Sequence, residues 1–143
     1  MITPASECLY CMVNETLHSL MIKICDLEVS ELFLFREQSY QGRCNVVYKG
    51  HGIEFHELSE DQRNAFMRDV AATGAAISRI FRPDKINYGS YADKISHLHM
   101  HVVPKYNGGY TFGGVFEMNP QKVYLTEAQY KEMTEKIKNA LAK

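Results

Sequence analysis

His97-Leu98-His99-Met100-His101-Val102-Val103, flanked by Ser96 and Pro104, alternates imidazole rings with apolar side chains. Side chains on a β-strand alternate between its faces. The three histidines are therefore predicted on one face, with Leu98, Met100 and Val102 turned to a core on the other. Neighbouring imidazoles then stand about 6.6–7 Å apart along the strand. Three such rings along one side of a cleft can divide the work of nucleophile, proton donor and metal ligand. The plain alternative is a solvated strand face that happens to be rich in histidine.

The flanking segments predict an antiparallel setting for this strand, which spans His97 to Val103. Lys85 to Ser90 reads as another strand. Upstream, Leu20 to Cys25 and Glu31 to Phe35 are β-prone, with a polar turn from Asp26 to Ser30. A break at Tyr40-Gln41-Gly42-Arg43 leads into the β run Cys44 to Tyr48. Ser59-Glu60-Asp61-Gln62 starts a helix, since Ser59 can cap it and the two acids complement its dipole. Phe66, Val70, Ile77 and Ile80 give that helix an apolar stripe through about Phe81, and Pro83 ends it. Thr126 opens a last helix, with Tyr130, Met133, Ile137 and Leu141 at helical spacing. Strands around one long helix, with a second helix at the C-terminus, make an α+β domain.

The chain has 143 residues, 45% of them apolar and 23% charged, which suits one globular domain with a real core. A net charge of −1 offers no electrostatic reason for a nucleic-acid or membrane partner. No apolar run is long enough to span a bilayer, and the N-terminus lacks a signal-peptide pattern. The expected location is cytoplasmic. Four cysteines without an export signal read as reduced thiols or a metal site. Gly108-Gly109-Tyr110-Thr111-Phe112-Gly113-Gly114 reads as a loop near the cleft or a dimer interface. It lacks the order of a phosphate-binding P-loop.

The run His-apolar-His-apolar-His-apolar-apolar closely resembles the signature of the histidine-triad (HIT) family. The resemblance extends to Gly42 to His51, a glycine, a β run and then a basic residue and histidine, and to the exit Pro104-Lys105-Tyr106. Asn87-Tyr88 ahead of His97-Leu98-His99 is similar to a bacterial, diadenosine polyphosphate hydrolase-like branch. The resemblance spans nearly all of residues 1–143, which are expected to form a single HIT domain. It implies a five-stranded antiparallel sheet, usually in a homodimer, that hydrolyses or transfers nucleotides. On this likeness His99 is the nucleophile toward phosphorus and forms a nucleotidyl-histidine intermediate. His101 then bonds the phosphate and assists the leaving group.

Cys8-Leu9-Tyr10-Cys11 has metal-ligand spacing, although a lone C-x-x-C is weak on its own. The family likeness supplies His51 and His97 as partners, which implies a closed structural zinc site of Cys8, Cys11, His51 and His97. Reduced idle thiols and a disulfide are the competing readings. His56 is a rival ligand expected at the surface, while Cys25 and Cys44 are expected in the core.

Three further positions are candidates for substrate binding: Asn87, Asp93 and Glu37. Where many family members have glycine and then an amide before the triad, this chain has Ala92 and Asp93. An ionised Asp93 would repel a phosphate, or else it faces solvent. The family's ribose-binding acid falls at Phe35, and Glu37 is its candidate replacement or simply a loop charge. The leading expectation is an enzyme cleaving a nucleotide phosphoanhydride or phosphoramidate, with diadenosine polyphosphates among its substrates. One competitor is a nucleotide-binding protein of HIT fold with little catalysis. Another is a metalloenzyme with zinc on the triad itself, which would leave Cys8 and Cys11 unexplained.

Overall fold

The computed structural model describes every residue except Met1, Ile53, Asn119, Gln121 and Lys143. Five strands, β1 (Met21–Asp26), β2 (Ser30–Phe35), β3 (Cys44–Tyr48), β4 (Lys85–Gly89) and β5 (His99–Lys105), form one sheet in the order β1-β2-β3-β5-β4. All neighbours are antiparallel. The turn between β1 and β2 closes where Leu27 N–H donates to Ser30 O at 2.8 Å. A bulge between Lys23 and Cys25 leaves Ile24 without a partner and lets it lean into the core beside Ile22.

Two long helices cover one face of the sheet. Helix α3 (Glu60–Phe81) links β3 to β4, and α4 (Glu127–Leu141) closes the chain. Ser59 Oγ and the Gln62 side chain form a reciprocal capping box on α3, and Thr126 with Gln129 does the same for α4. Phe66, Val70 and Ile77 of α3 meet Leu32, Leu34, Val46 and Val102 of the sheet, with Tyr130, Met133 and Ile137 from α4. Such burial supplies the main folding drive, about 1.5–3 kcal/mol for each fully buried large apolar side chain. Tyr88 reaches from β4 to α3, where a Cβ on Gly74 would meet its Oη at 2.5 Å.

The opposite face carries the N-terminal segment. Short helices α1 (Leu9–Met12) and α2 (Glu15–Leu20) place Leu17 against Met21, Phe33 and Val47, with Leu9, Tyr10 and Phe35 around them. These helices are too short to show a helical period in the sequence; the Asn14 cap, which accepts from Thr16 N and Leu17 N, is their clearest local signal. Among the described residues no helix is long and apolar enough to cross a membrane.

Strand boundaries shift by one residue in β1, β2 and β4, and by two in β5. β5 begins at His99, two residues later than the sequence predicts, and runs to Lys105. The chain turns at His97, whose N–H donates to Ile95 O at 2.8 Å. At the far end β3 reaches only to Val102, so Pro104 lies beyond it and costs no ladder bond to β3.

Candidate active site and metal cluster

The alternation along β5 puts His99 and His101 on the face opposite α3, where Val47 and Asn45 of β3 are their register partners. Both rings line a cleft of about 740 Å³, with Tyr10, Phe35, Tyr91, Asp93 and Phe116 also on its walls. That size is ordinary for a small-molecule site. His99 and His101 stack edge to face, their centroids 4.9 Å apart.

The ring of His99 has a fixed tautomer. Its Nδ1 lies 2.7 Å from the carbonyl oxygen of His97, and a carbonyl only accepts, so Nδ1 carries the proton. Nε2 is left with its lone pair. Burial lowers the basicity of His99 from that of a free imidazole, which keeps this lone pair unprotonated near neutral pH. Neutral imidazole is a competent nucleophile and needs no strong activation. His101 is pushed down to about 3 by burial, by the Arg43 charge and by His99.

His97, just outside the strand, belongs to a second cluster. Its Nδ1 lies 3.3 Å from Cys8 Sγ and 3.5 Å from Cys11 Sγ, while His51 Nδ1 lies 3.3 Å from Cys11 Sγ. All four donor atoms fall within 4.8 Å of one another. Ligands of a tetrahedral zinc stand about 3.3–3.8 Å apart, so the cluster has room for such an ion. Each histidine directs its other nitrogen to a backbone carbonyl: His97 Nε2 to Tyr48 O at 2.7 Å, His51 Nε2 to Thr3 O at 2.9 Å. These bonds leave both Nδ1 lone pairs facing the thiols, the usual outer support of a metal-bound imidazole. The four residues could therefore hold a metal ion. His56 is exposed, Cys44 is fully buried and Cys25 packs against the core, as expected from the sequence.

The two assemblies share Tyr10, which sits between the cysteines in sequence. Its ring lies 5.3 Å from that of His97 and 5.1 Å from that of His99, and its hydroxyl accepts from Asn45 Nδ2 at 2.9 Å. Burial pushes this phenol up to about 12. Tyr10 was not singled out in the sequence, although its place inside C-x-x-C beside a metal candidate was a usable signal.

The substrate-binding candidates divide. Asp93 lines the cleft, following Ala92 in a left-handed conformation at φ 57°. That backbone favours glycine, the residue the family pattern carries at this point. Glu37 lies outside the main cleft, on a smaller cavity. Its carboxylate accepts from Ser39 N and Oγ, each at 2.7 Å, and from Val123 N at 2.9 Å, so it braces a loop. Asn87 shares the cleft face of the sheet, paired with Val103, but does not line the cleft. The glycine-rich loop is held by Lys105, whose Nζ donates to the carbonyls of Thr111 and Gly114. From its C-terminal end, Val115 and Phe116 reach the cleft.

A HIT-domain family model matches residues 21–108. The chain belongs to the HIT family. Adenosine 5′-monophosphoramidase of Schizosaccharomyces pombe is 25% identical over 122 residues, covering 82% of this chain and 89% of that protein. A HIT-like protein of Mycoplasma genitalium is 26% identical, over 91% of this chain and 94% of its own. Among solved structures, a histidine triad protein from Bradyrhizobium japonicum matches with a TM-score of 0.81 at 18% identity, covering 90% and 96% of the two chains. A zinc-bound histidine triad family protein from Mycobacterium smegmatis gives a TM-score of 0.67 at 20% identity, covering 97% and 96%. These likenesses establish the HIT fold, in agreement with the five-stranded antiparallel sheet.

Proposed function

We propose that residues 1–143 form one HIT domain that hydrolyses or transfers a nucleotide through a covalent intermediate on His99. The observation that carries this reading is the 2.7 Å bond from His99 Nδ1 to the His97 carbonyl, which reserves Nε2 for attack at the cleft. Nε2 attacks the phosphorus, a nitrogen–phosphorus bond forms, and the bond to the leaving group breaks. Water or a second acceptor then attacks the same phosphorus, releases the nucleotide and restores the imidazole. His101 donates a hydrogen bond to the phosphate and stabilises the charge that develops there. The apolar walls of Phe35, Phe116 and Tyr91 suit the flat face of a base.

The substrate classes are a nucleotide phosphoramidate, the kind named for the yeast relative, and phosphoanhydrides such as diadenosine polyphosphates. Zinc held by Cys8, Cys11, His51 and His97 supplies structural cross-linking, since four protein ligands close the site to substrate. Thiolate ligands persist in a reducing compartment, consistent with a cytoplasmic protein. A homodimer is part of the same reading: β4 is an edge strand, and Tyr88 upon it is exposed.

Asp93 on the cleft wall favours a second reading, a nucleotide-binding protein with little turnover. One experiment separates them: AMP release from adenosine phosphoramidate and from diadenosine polyphosphates, beside AMP binding by calorimetry. Turnover on any of these, with a nucleotidyl adduct trapped on histidine, supports the enzyme. Tight AMP binding without turnover on the whole panel supports the binder.

A further inference from the structure

Arg43 is the least expected side chain near the cleft. It follows Gly42, which turns the chain into β3 at φ +91°, and it is fully buried. The guanidinium lies 4.2 Å from the ring centroid of Phe35 and 5.5 Å from that of Phe116. Nη1 makes long contacts with the carbonyls of Glu117 and Met118, both 3.4 Å, and Nη2 lies 3.3 Å from Met118 Sδ. Nε has no partner. Among the described residues no carboxylate forms an ion pair with it. Glu37 acts on this charge only from beyond ion-pair distance, and a buried charge so weakly compensated opposes folding, so stability alone does not account for it. Burial accordingly lowers this guanidinium to about 10.

The remaining contact is with the active site: Nη2 lies 3.3 Å from His101 Nδ1. A guanidinium offers five N–H donors and no acceptor, so this nitrogen of His101 must present its lone pair. We propose that Arg43 is a positioning residue that holds His101 neutral with its proton on Nε2, making His101 a permanent hydrogen-bond donor to an anionic group and not an imidazolium acid. Protonating Nδ1 would set N–H against N–H beside a cation in a dry site. The other titratable groups near the ring are His99, at 4.9 Å between centroids, Tyr91, at 6.4 Å, and Asp93, which lines the same cleft. Among the described residues no carboxylate, Asp93 included, hydrogen-bonds or pairs with the ring to offset a second cation. The charge of Arg43 is instead transmitted through the ring to Nε2–H, where it strengthens a bond to phosphate. Only the identity of the anion rests on the proposed function; the tautomer stands on the geometry.

The test uses the whole protein labelled with 15N at histidine, without substrate, and long-range 1H–15N correlation from about pH 8 to about pH 5. The His101 signals are assigned by their absence in His101→Asn. The expected result is an Nε2–H tautomer throughout, with no protonation by the lowest pH. Arg43→Met should give mixed tautomers, titration moving toward the ordinary value of 6.5, and a fall in kcat/KM of about 10-fold or more. Arg43→Gln keeps an N–H donor without the charge, so it should keep the tautomer and guards against a Met variant that fails to fold. An Nδ1–H tautomer in the wild type, or its titration near 6.5, overturns the proposal even if the protein is active. So does a folded Arg43→Met variant with His101 unchanged. A wild type with the Nε2–H tautomer but no nucleotide turnover upholds the role of Arg43 and refutes the enzymatic reading separately.

Discussion

The carbonyl of His97 orients the ring of His99, while the side chain of His97 joins Cys8, Cys11 and His51. One residue thus connects the metal cluster to the candidate nucleophile, through its backbone on one side and its imidazole on the other.

His99→Ala should abolish nucleotide release while leaving the fold intact. Loss of the covalent route should reduce turnover at least about 10³-fold. Single-turnover kinetics on the best substrate, with circular dichroism as the folding control, decides it. Near wild-type turnover in the variant would sink the mechanism, and label trapped on His101 would move the nucleophile without changing the reaction class.

The Cys8→Ala/Cys11→Ala variant should lose one equivalent of zinc and melt lower. A loss of about 2 kcal/mol corresponds to a Tm lower by roughly 5 °C or more. Elemental analysis and calorimetry read these two quantities. Turnover per folded molecule should largely survive, because the ligands close the site to substrate. Equal zinc in both proteins would refute the ligand set. A folded, zinc-free and inactive variant would show that the metal acts on the cleft, for which Tyr10 provides the direct contact.

Acid should destabilise the protein partly through His101. Its ring takes a proton near 6.5 when unfolded and only near about 3 when folded. Between those values the unfolded chain binds more protons, so stability is full above the upper value and falls as pH drops toward the lower one. Urea unfolding at about pH 7 and about pH 5 should show a smaller loss in His101→Asn than in the wild type. Equal losses would show that His101 titrates alike in both states.

Asp93→Asn should improve phosphate binding at the cleft. The substitution removes a negative charge from the wall and adds an amide donor. A KM lower by about 3-fold or more, with kcat little changed, is expected. An unchanged KM would mean that Asp93 faces away from the bound phosphate.

Sedimentation or light scattering should report a dimer at micromolar concentration. A mass of 16.4 kDa that does not change with concentration would contradict it.

The sequence by itself determined the five strands and the two long helices, and it set the faces of the histidine strand. Ser59, Gln62 and Thr126 carry helix-start signals that act within one turn, and the imidazole–apolar alternation from His99 to Val102 sets its own faces. Spacing and family likeness together also marked Cys8, Cys11, His51 and His97, whose donor atoms the fold brings to within 4.8 Å. Only the tertiary structure decided what stands behind those groups. Glu37 braces a loop only because Val123 meets its carboxylate, a contact 86 residues away in the chain. Arg43 was an unremarked charge at the start of a strand until β3 paired with β5 and brought Nη2 to His101, 58 residues on. Local periodicity reports which face a side chain takes. It carries nothing about the partner that another segment will bring to that face, and the partner decides which nitrogen of an imidazole holds the proton.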